Sequence, residues 1–498
     1  MTTTSKTNHM PQKSAHGEPH IPRVNIVISN LPFVRSGARR GELRERLGKP
    51  GQSFSGNSDA SVFFQVYMLN LLADDARVGI IGPLAWLSAG YGIALQRHLV
   101  QHYSIEQVLS SRNIPWFGKA QVRALVLIMQ KRSDGKEAVG DCRFIASFDP
   151  HKPRLTDRKK KPNQLEPAPR NRVVSQTTLN QELTTARYPG VWNRYLRAPD
   201  VYFEILDRCR ERLTRLGEIA TIKAGLKSGI NAFFYVRPVE HVNRPILPGR
   251  ILIEAADGNR FYIESQFLAP VVTSPAELRT VAPLRNDPLK HLAFVCDKDR
   301  DWLERNKCTG ALEYLAWGAS MTGKSGALWP EVRSVRQRRN WWTLPQQEPC
   351  NVLLPMSTNR RLAVFQSPPG AIVDHNLFTC TFSRRSDRTA ALCYLNSALF
   401  MLFREVHSRA GLGGGAAKME LSDWKAMPVA RNFGHLPRRK PSWFRKRVEP
   451  VERELERPGR REFDRVVLRG LGLEAGEFLE HVYGELLQLV DERVSSTQ

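Results

Sequence analysis

The feature that most constrains the fold is an apolar strand that ends in a proline-containing turn, residues 21–33 (Ile-Pro-Arg-Val-Asn-Ile-Val-Ile-Ser-Asn-Leu-Pro-Phe). Val24 and residues 26–28 are β-branched, a composition typical of a strand buried on both faces of a parallel sheet. In open α/β sheets, ligands bind beyond the carboxyl ends of the strands. The turn at residues 30–33 is therefore the first candidate functional site.

Each residue of this turn has properties that suit an adenine base. The exocyclic amine of adenine is a weak nucleophile, and it needs hydrogen-bond acceptors for both of its hydrogens as charge develops during attack. The Asn30 carboxamide oxygen and the Leu31 carbonyl are two such acceptors. Pro32 restricts the backbone around it, and Phe33 offers a flat face on which a base would stack with about 1–3 kcal/mol. The alternative is an ordinary strand exit with an Asn turn residue.

The pattern that follows the turn predicts a doubly wound α/β sheet. Apolar residues at helical spacing alternate with short β-branched runs that are bounded by turn residues. The predicted elements are a helix over 58–72, a turn at 74–77, a strand over 78–83, a helix over 93–102 and strands over 105–109 and 124–129.

Together, these features resemble the N6-adenine DNA methyltransferases with the Asn-Pro-Pro-Tyr/Phe catalytic motif, in which Leu31 replaces the first proline. The element order is similar to the second half of the class I methyltransferase domain in γ-ordered enzymes of the type IIG and type I-like restriction-modification systems. Asp59 matches the acidic residue at the start of a helix, and Phe117-Gly118 the aromatic loop before the last strand. The resemblance implies catalytic roles for Asn30, Leu31, Pro32 and Phe33 and base stacking by Phe33 and Phe117.

The resemblance implies S-adenosylmethionine as the methyl donor, but the motif that would bind this cofactor is not found. Such a site needs a strand, a glycine-rich turn and an acidic residue, and the 29 residues before Asn30 contain Gly17 as their single glycine. Residues 90–92 (Gly-Tyr-Gly) lack a third glycine, and the glycine-rich residues 411–415 follow a predicted helix. We therefore expect the C-terminal portion of such an enzyme, truncated at its start or completed by a separate cofactor-binding chain.

A second group of motifs resembles the target-recognition domain of the same enzymes. Residues 216–219 read Leu-Gly-Glu-Ile, and residues 225–231 read Gly-Leu-Lys-Ser-Gly-Ile-Asn. Glycines permit close approach of a backbone, and the polar side chains suit phosphates and base edges. Residues 233–235 (Phe-Phe-Tyr) belong to the same motif or are plain strand core. The DNA-binding residues predicted here are Lys223, Lys227, Ser228 and Asn231.

Two further segments continue this resemblance. Arg338 and Arg339 lie among tryptophans, which would stack on nucleic acid or pack in the core. The glycine-rich loop at 411–415 follows a helix predicted from Asn396 to about residue 407, and it would lie against DNA or act as a flexible spacer. The predicted DNA contacts in this loop and just after it are Gly413, Gly414 and Lys418.

Composition limits the class of partner. The chain has 74 Lys and Arg against 49 Asp and Glu, a net charge of +25. This excess predicts a polyanionic partner, most simply double-stranded DNA, and the alternative is a solvated basic surface. Seven scattered cysteines without Cys-x-x-Cys spacing predict reduced thiols in a cytoplasmic protein and no metal site. No apolar run reaches the roughly 20 residues of a membrane span.

The expected fold is therefore α/β, with a partial class I methyltransferase (Rossmann-like) sheet, a mixed α+β DNA target-recognition domain and a helical C-terminal tail. Three functions are compatible with the sequence: an adenine-specific DNA methyltransferase, a catalytically inactive DNA-binding module derived from one, and an unrelated RNA-binding protein. The expected segments are a disordered tail (1–20), the C-terminal half of the catalytic domain (21–150), a basic linker (151–198), the recognition domain (199–432) and a basic helical tail (433–498).

Overall fold

The chain forms two compact units, residues 1–199 and 200–498. Each unit contains both helices and β-sheets, so the expected α/β class is confirmed. The structure is a computed structural model, and it describes residues 22–33, 58–111, 116–117, 123–133, 135–146, 170–186, 190–239, 248–284, 287, 289–323, 326–409 and 415–495.

The first unit is built on one mixed six-stranded sheet. Its elements in chain order are β1 (Val24–Asn30), α1 (Ala60–Met68), β2 (Leu72–Pro83), α2 (Gly92–His102), β3 (Tyr103–Ser110), β4 (Ala124–Lys131), β5 (Asp141–Ala146), β6 (Asn171–Ser175), α3 (Gln176–Thr185) and α4 (Asn193–Arg197).

The strands of this sheet lie in the order β1-β2-β4-β3-β5-β6. β1 is parallel to β2, β4 runs antiparallel between β2 and β3, and β5 is parallel to β3. The carboxyl ends of β1, β2 and β3 and the first residue of β4 therefore meet at one edge of the sheet. The sequence predicted four of these strands, β1 to β4, and the structure confirms them.

One strand departs from the prediction of burial on both faces. Ile26 and Ile28 of β1 point to the same face and are 69% and 88% exposed. β1 is an edge strand of the sheet that the described residues form, and no described residue covers these two side chains. The prediction that β1 is buried on both sides, as in a doubly wound sheet, is therefore wrong for this strand.

Two segments that were expected to lack regular structure belong to the sheet. The predicted turn at residues 74–77 lies inside β2, where Val24 of β1 pairs with Leu72 and Ile26 pairs with Arg77, so the residues between them form a bulge. The predicted linker is also wrong over its described part, because residues 171–175 form β6 beside β5. The prolines and lysines that suggested a linker lie before residue 170; residues 1–20 and 151–169 lie outside the described residues.

The start of α3 fastens this segment to the sheet. The Gln176 side chain accepts a hydrogen bond from the Ile105 N–H at 3.2 Å and donates one to the Ile105 carbonyl at 2.5 Å. The buried ring of Phe144 in β5 packs against Trp192 and Tyr195 near and within α4. Residues 170–186 and 190–197 therefore pack against the sheet of the first unit.

The second unit combines short helices with strands. Its elements in chain order are α5 (Asp200–Arg208), β7 (Leu213–Arg215), α6 (Leu216–Ile219), β8 (Thr221–Ala224), α7 (Asn231–Phe234), β9 (Tyr235–Pro238), β10 (Arg250–Glu254), β11 (Arg260–Glu264), β12 (Leu268–Val272), β13 (His291–Phe294), α8 (Arg300–Arg305), α9 (Thr309–Ser320), β14 (Val352–Pro355), β15 (Ser357–Thr358), β16 (Phe365–Gln366), β17 (Ile372–Val373), β18 (Leu377–Thr381), α10 (Arg388–Tyr394), α11 (Ala398–His407), β19 (Ala417–Lys418), α12 (Leu421–Ala426), β20 (Pro428–Ala430), α13 (Val451–Leu455), α14 (Arg460–Gly470) and α15 (Ala475–Ser495). The strands that the structure describes form two larger sheets, β11-β10-β9-β13-β12-β17 and β16-β14-β18-β8, and the two-stranded pairs β15-β19 and β20-β7.

An aromatic cluster forms much of this unit's core. Phe233 is fully buried and stacks on Tyr314 with ring centroids 5.0 Å apart. Trp329 and Trp341 contact the same ring, with centroids 6.0 and 4.6 Å away. These two tryptophans therefore pack in the core, which was one of the two roles that the sequence left open for them.

The predicted C-terminal tail packs within the second unit. The Arg493 guanidinium of α15 is buried and forms a two-point ion pair with Glu405 of α11, with N–O distances of 2.8 and 2.9 Å. The same group donates hydrogen bonds to the carbonyls of Gly415 and Asn359, the latter at 2.8 Å. Residues 433–495 are therefore an integral part of this unit, because the last helix carries buried polar contacts to its interior.

The half-buried His98 of α2 makes the first unit sensitive to acid. Burial and the neighbouring His102 lower the pKa of His98 from 6.5 to about 4. Because the unfolded chain binds a proton at higher pH than the folded chain, stability is present above pH 6.5 and falls as the pH drops toward 4, by about 3 kcal/mol. We expect urea unfolding of the first unit to show this loss and the variant His98→Gln to reduce it; equal pH profiles for the two proteins would contradict the assignment.

Candidate catalytic turn and nucleic-acid interface

The candidate catalytic turn lies at the sheet edge where β1, β2 and β3 end. Asn30 is the last residue of β1 and pairs with Ile81 of β2. Its side chain is exposed and its carboxamide forms no hydrogen bond with any described residue. The acceptor that the sequence assigned to an adenine amine therefore lies exposed at the carboxyl end of a strand, without a hydrogen-bond partner among the described residues.

Leu31 is fixed in a way that the sequence did not reveal. Its N–H donates a hydrogen bond of 2.8 Å to the Ile81 carbonyl, and its side chain is only 4% exposed. Leucine thus supplies a hydrogen bond where a proline would have none to give. The Leu31 nitrogen is thus held by the β2 backbone and its side chain by burial, and Pro32 restricts the backbone torsion that directs the Leu31 carbonyl.

The two aromatic residues predicted to stack on a base are neighbours. The rings of Phe33 and Phe117 lie edge to face, with centroids 5.4 Å apart and an interplanar angle of 69°. Phe33 is half-buried, and Phe117 is 36% exposed. Since the rings touch each other, a base does not fit between them in this arrangement and would stack on an outer face of either ring.

Ser111 lies at the same edge of the sheet and forms hydrogen bonds there that the sequence did not predict. The Ser111 hydroxyl accepts a hydrogen bond of 3.2 Å from the Ala124 N–H, and the Ser111 N–H donates one of 3.1 Å to the Ala124 carbonyl. Leu84 donates to the carbonyl of Arg123 at 3.0 Å, and burial lowers the pKa of the Arg123 guanidinium. These contacts close the base of the loop that carries Phe117. In the sequence, these contacts are indicated only by a serine that directly follows a predicted strand.

Asp59, which was matched to an acidic position of the resembled enzymes, is the residue directly before α1. It occupies the N-cap position of this helix, but its side chain makes no capping hydrogen bond.

The Gly90 to Gly92 group does not form a cofactor cradle. A Cβ on Gly92 would lie 1.5 Å from the Trp86 carbonyl oxygen, so this glycine allows two chain segments to touch. Residues 90–92 therefore do not offer the open backbone that a dinucleotide-type cofactor site requires.

The second candidate site is the loop 225–231 of the second unit. A Cβ on Gly225 would lie 2.1 Å from the Asp374 carbonyl oxygen, which explains why this position is glycine. The Leu226 N–H donates to the Val373 carbonyl at 2.7 Å, and Leu226 accepts from the His375 N–H at 3.0 Å. The loop is therefore tied to the segment that follows β17.

Side chains beneath this loop hold its shape. Arg338 donates to the carbonyls of Ser228 at 2.7 Å and Thr343 at 2.9 Å, and burial lowers its pKa. The buried Ser228 hydroxyl bonds the Asn231 side chain. The Tyr235 hydroxyl donates to the buried Asp374 carboxylate at 2.9 Å, and burial with this carboxylate raises the pKa of Tyr235. Arg338 and Ser228 therefore have structural contacts in the free protein.

The exposed residues of this region differ in how their charges are compensated. Lys227 is exposed and forms no ion pair with a described residue. Lys223 lies 2.7 Å from Glu348 and Arg339 lies 3.9 Å from Asp299, both at the surface. Lys418 in β19 lies 2.6 Å from Glu420. Gly413 and Gly414 lie outside the described residues.

Comparison with known proteins gives a family for the first site. Residues 17–117 match the model of the Eco57I restriction-modification methylase family. The matched segment includes the whole candidate turn and Phe117, so the resemblance inferred from the sequence is confirmed there. No curated protein matches the chain.

Similar solved structures come from restriction-modification systems. The type IIG restriction endonuclease BpuSI is 14% identical over 96% of this chain with a TM-score of 0.40. The type IIL restriction-modification enzyme MmeI, solved in complex with DNA, is 11% identical over 95% with a TM-score of 0.43. A type I methyltransferase subunit from Streptococcus thermophilus is 20% identical over 25% of this chain and 26% of its own length, with a TM-score of 0.21. This chain covers 55% of each of the first two proteins.

Among the described residues, no three His, Cys, Asp or Glu side chains cluster as metal ligands. All seven cysteines are free thiols. The helices that the structure describes include none that is long and apolar enough to cross a bilayer.

Proposed function

We propose that this chain, whose residues 17–117 belong to the restriction-modification methylase family, is the base-binding and target-recognition portion of an adenine-specific DNA methyltransferase. The proposed reaction is transfer of a methyl group from S-adenosylmethionine to the N6 of an adenine in double-stranded DNA. The observation that carries the proposal is the exposed Asn30 carboxamide, which lies next to the Leu31 carbonyl and near the Phe33–Phe117 pair, all within the matched segment.

The turn would hold the adenine amine through two fixed acceptors. The amine would donate one hydrogen to the Asn30 carboxamide oxygen and the other to the Leu31 carbonyl. Since the Leu31 nitrogen is bonded to Ile81 and Pro32 restricts the torsion that follows, little order has to be gained at this second acceptor when the base arrives. An aromatic face of Phe33 or Phe117 would stack on the purine, which offsets part of the few kcal/mol that extrusion from the duplex costs.

The cofactor is proposed to be held by a separate chain or by a portion that is not in this sequence. Two features of β1 favour this proposal: it is an edge strand of the described sheet, and its Ile26 and Ile28 side chains are exposed. An exposed apolar edge strand is a site for pairing with another strand. A strand added parallel to β1 would end beside Asn30, where the methyl donor is needed.

A catalytically inactive recognition module is the second candidate. It is favoured by the close contact of Gly92 with Trp86, because residues 90–92 then do not form a cofactor cradle. Calorimetry would separate the two functions: the first requires S-adenosylmethionine binding when a glycine-rich methyltransferase half is supplied as a second chain, and the second requires none under any condition. Either function places the chain with DNA in the cytoplasm, as part of a restriction-modification system.

The loop 225–231 is proposed to contact the DNA duplex. Its backbone is held by Asp374, Val373 and Arg338, so little order has to be gained on binding. Lys227 presents an uncompensated charge, and Asn231 lies exposed at the end of the loop. Lys223 and Arg339 have weak surface ion pairs that DNA phosphates would replace.

Replacing Lys227 with alanine is expected to weaken duplex binding and to lower the slope of log K against log salt by about 0.9, since one phosphate contact is lost. Fluorescence anisotropy with a labelled duplex at several salt concentrations measures both. Lys290→Ala is the matched control, because Lys290 is also exposed and has no ion pair with a described residue. Equal slopes for the two variants would remove Lys227 from the interface.

A further inference from the structure

A second basic surface lies outside the recognition loop. The segment 431–447, here called the basic strip, contains seven Lys and Arg and no Asp or Glu. The following segment, 448–498, has the reverse balance, with seven Lys and Arg against twelve Asp and Glu. Charge is thus segregated along the sequence. The basic residues of the strip are Arg431, Arg438, Arg439, Lys440, Arg445, Lys446 and Arg447.

The basic strip is held rigidly to the second unit. Its apolar residues Phe433, Leu436, Trp443 and Phe444 are buried, whereas all seven basic residues are exposed. The Ala282 N–H donates to the Phe444 carbonyl at 3.0 Å. Since the backbone is fixed by these anchors, the cations are presented on a preformed surface.

The cations of the basic strip lack acidic partners although carboxylates are close in sequence. None of the seven forms an ion pair with a described residue. In α13, α14 and the turn between them, by contrast, six arginines lie within 4.0 Å of a carboxylate oxygen: Arg453, Arg457, Arg460, Arg461, Arg465 and Arg469. Like charges without counter-charges repel one another and destabilise the compact state. Binding of a polyanion would reduce this repulsion.

A cleft next to Arg431 extends this positive surface. The cleft has a volume of about 760 Å³, and it is lined by Arg212, Arg431, His435 and Arg469 together with one carboxylate, that of Glu211. Arg212 and Arg431 donate to backbone carbonyls, of Leu471 at 2.8 Å and Glu211 at 3.2 Å, and they form no ion pair with a described residue. Two uncompensated guanidinium groups therefore stand in one concave surface.

We propose that the basic strip binds the phosphodiester backbone of a nucleic-acid duplex, at a position separate from the recognition loop. That this duplex is the DNA substrate of the methyltransferase rests on the proposed function. Seven of the eleven exposed residues of the strip are arginine or lysine, and its aromatic residues are buried, so no apolar side chain of the strip is left to enter a lipid surface. Arginine suits phosphate through paired N–H donors, and such contacts add affinity without sequence preference.

The test compares two triple variants of the full chain with the same loss of charge. R438Q/R439Q/R445Q removes three unpaired cations of the basic strip. R210Q/R453Q/R465Q removes three surface arginines that lie 3.8, 4.0 and 3.5 Å from carboxylates. Anisotropy with a labelled duplex across a range of salt gives the affinity and its salt slope, and thermal unfolding checks that both variants are folded.

We expect the salt slope of the strip variant to fall by about 2 to 3 and its affinity at moderate salt by at least about tenfold, with a slope change below about 1 in the matched variant. Equal losses in both triple variants would overturn the assignment to the strip. An unchanged strip variant beside a weakened Lys227→Ala would overturn the inference and leave the proposed function standing. Absence of duplex binding by the parent chain would overturn both. Tighter binding to phosphatidylserine vesicles than to the duplex would overturn the choice of nucleic acid.

Discussion

Replacing Asn30 with alanine is expected to lower methyl transfer by about 10²- to 10³-fold or more in the completed enzyme, while duplex binding changes little. The carboxamide is one of two acceptors proposed for the adenine amine, and removing one preorganised hydrogen-bonding group from a reacting centre has effects of this size. The Asn30 side chain is exposed and makes no hydrogen bond with a described residue, so its loss leaves the fold intact. Radiolabelled methyl transfer and duplex anisotropy, measured side by side, check the two parts.

Two further variants make the Asn30 result specific. Asn25→Ala is the matched control, because Asn25 is exposed on the same strand but on the other face of the sheet, and it should transfer normally. Asn30→Asp keeps an oxygen acceptor at the same place and should lose less activity than the alanine variant. Full transfer by Asn30→Ala would reject the role of this residue and with it the catalytic assignment of the turn.

Replacing Arg493 with glutamine is expected to lower the free energy of unfolding of the second unit by about 3–5 kcal/mol, a melting-point loss on the order of 10 °C. The change removes the Arg493 guanidinium from the fully buried Glu405 carboxylate, and it removes the hydrogen bonds that this group donates to the Gly415 and Asn359 carbonyls. An unpaired buried charge is among the most destabilising features a core can have. Denaturant and thermal unfolding of the full chain measure the loss.

The Arg493 prediction has its own controls. Arg453→Gln removes an exposed arginine 4.0 Å from Glu449 and should change stability by less than about 1 kcal/mol. The double variant Arg493→Met/Glu405→Leu removes both buried charges and should recover much of the loss. A double variant as unstable as Arg493→Gln would show that the hydrogen bonds to the loop carbonyls, and not the charge pair, carry the effect.

The sequence predicted the strands of the first unit best where composition and turn residues agreed. The β-branched run before Asn30 is a strand, and Asn30, Leu31 and Phe33 stand at its carboxyl end as expected. Aspartates at 74 and 75 predicted a turn, because turn residues are normally a sound signal. In the structure, both aspartates lie in a bulge of β2. A bulge depends on how a strand pairs with its partner, so the local sequence does not predict it.

Long-range contacts explain most of what the sequence did not predict. Arg338 looked like a DNA-contacting arginine, but its guanidinium is directed to the carbonyls of Ser228 and Thr343. The hydrogen bond from Leu31 to Ile81 joins residues 50 positions apart, so the effect of replacing a motif proline could not be judged from the motif. Whether a side chain is buried or exposed depends on contacts with residues that are distant in the sequence. A local pattern of residue types therefore predicts it poorly.

The buried pair between Glu405 and Arg493 also sets an order of events during synthesis. The two residues are 88 positions apart, and at about 5–20 residues per second the ribosome needs roughly 4 to 18 seconds to make the second after the first. During that interval Glu405 lacks the Arg493 guanidinium, and α11 lacks its packing against α15. The first unit can fold while the chain is still growing, whereas the second must wait for its last helix, and in that window it is the part that chaperones would have to protect.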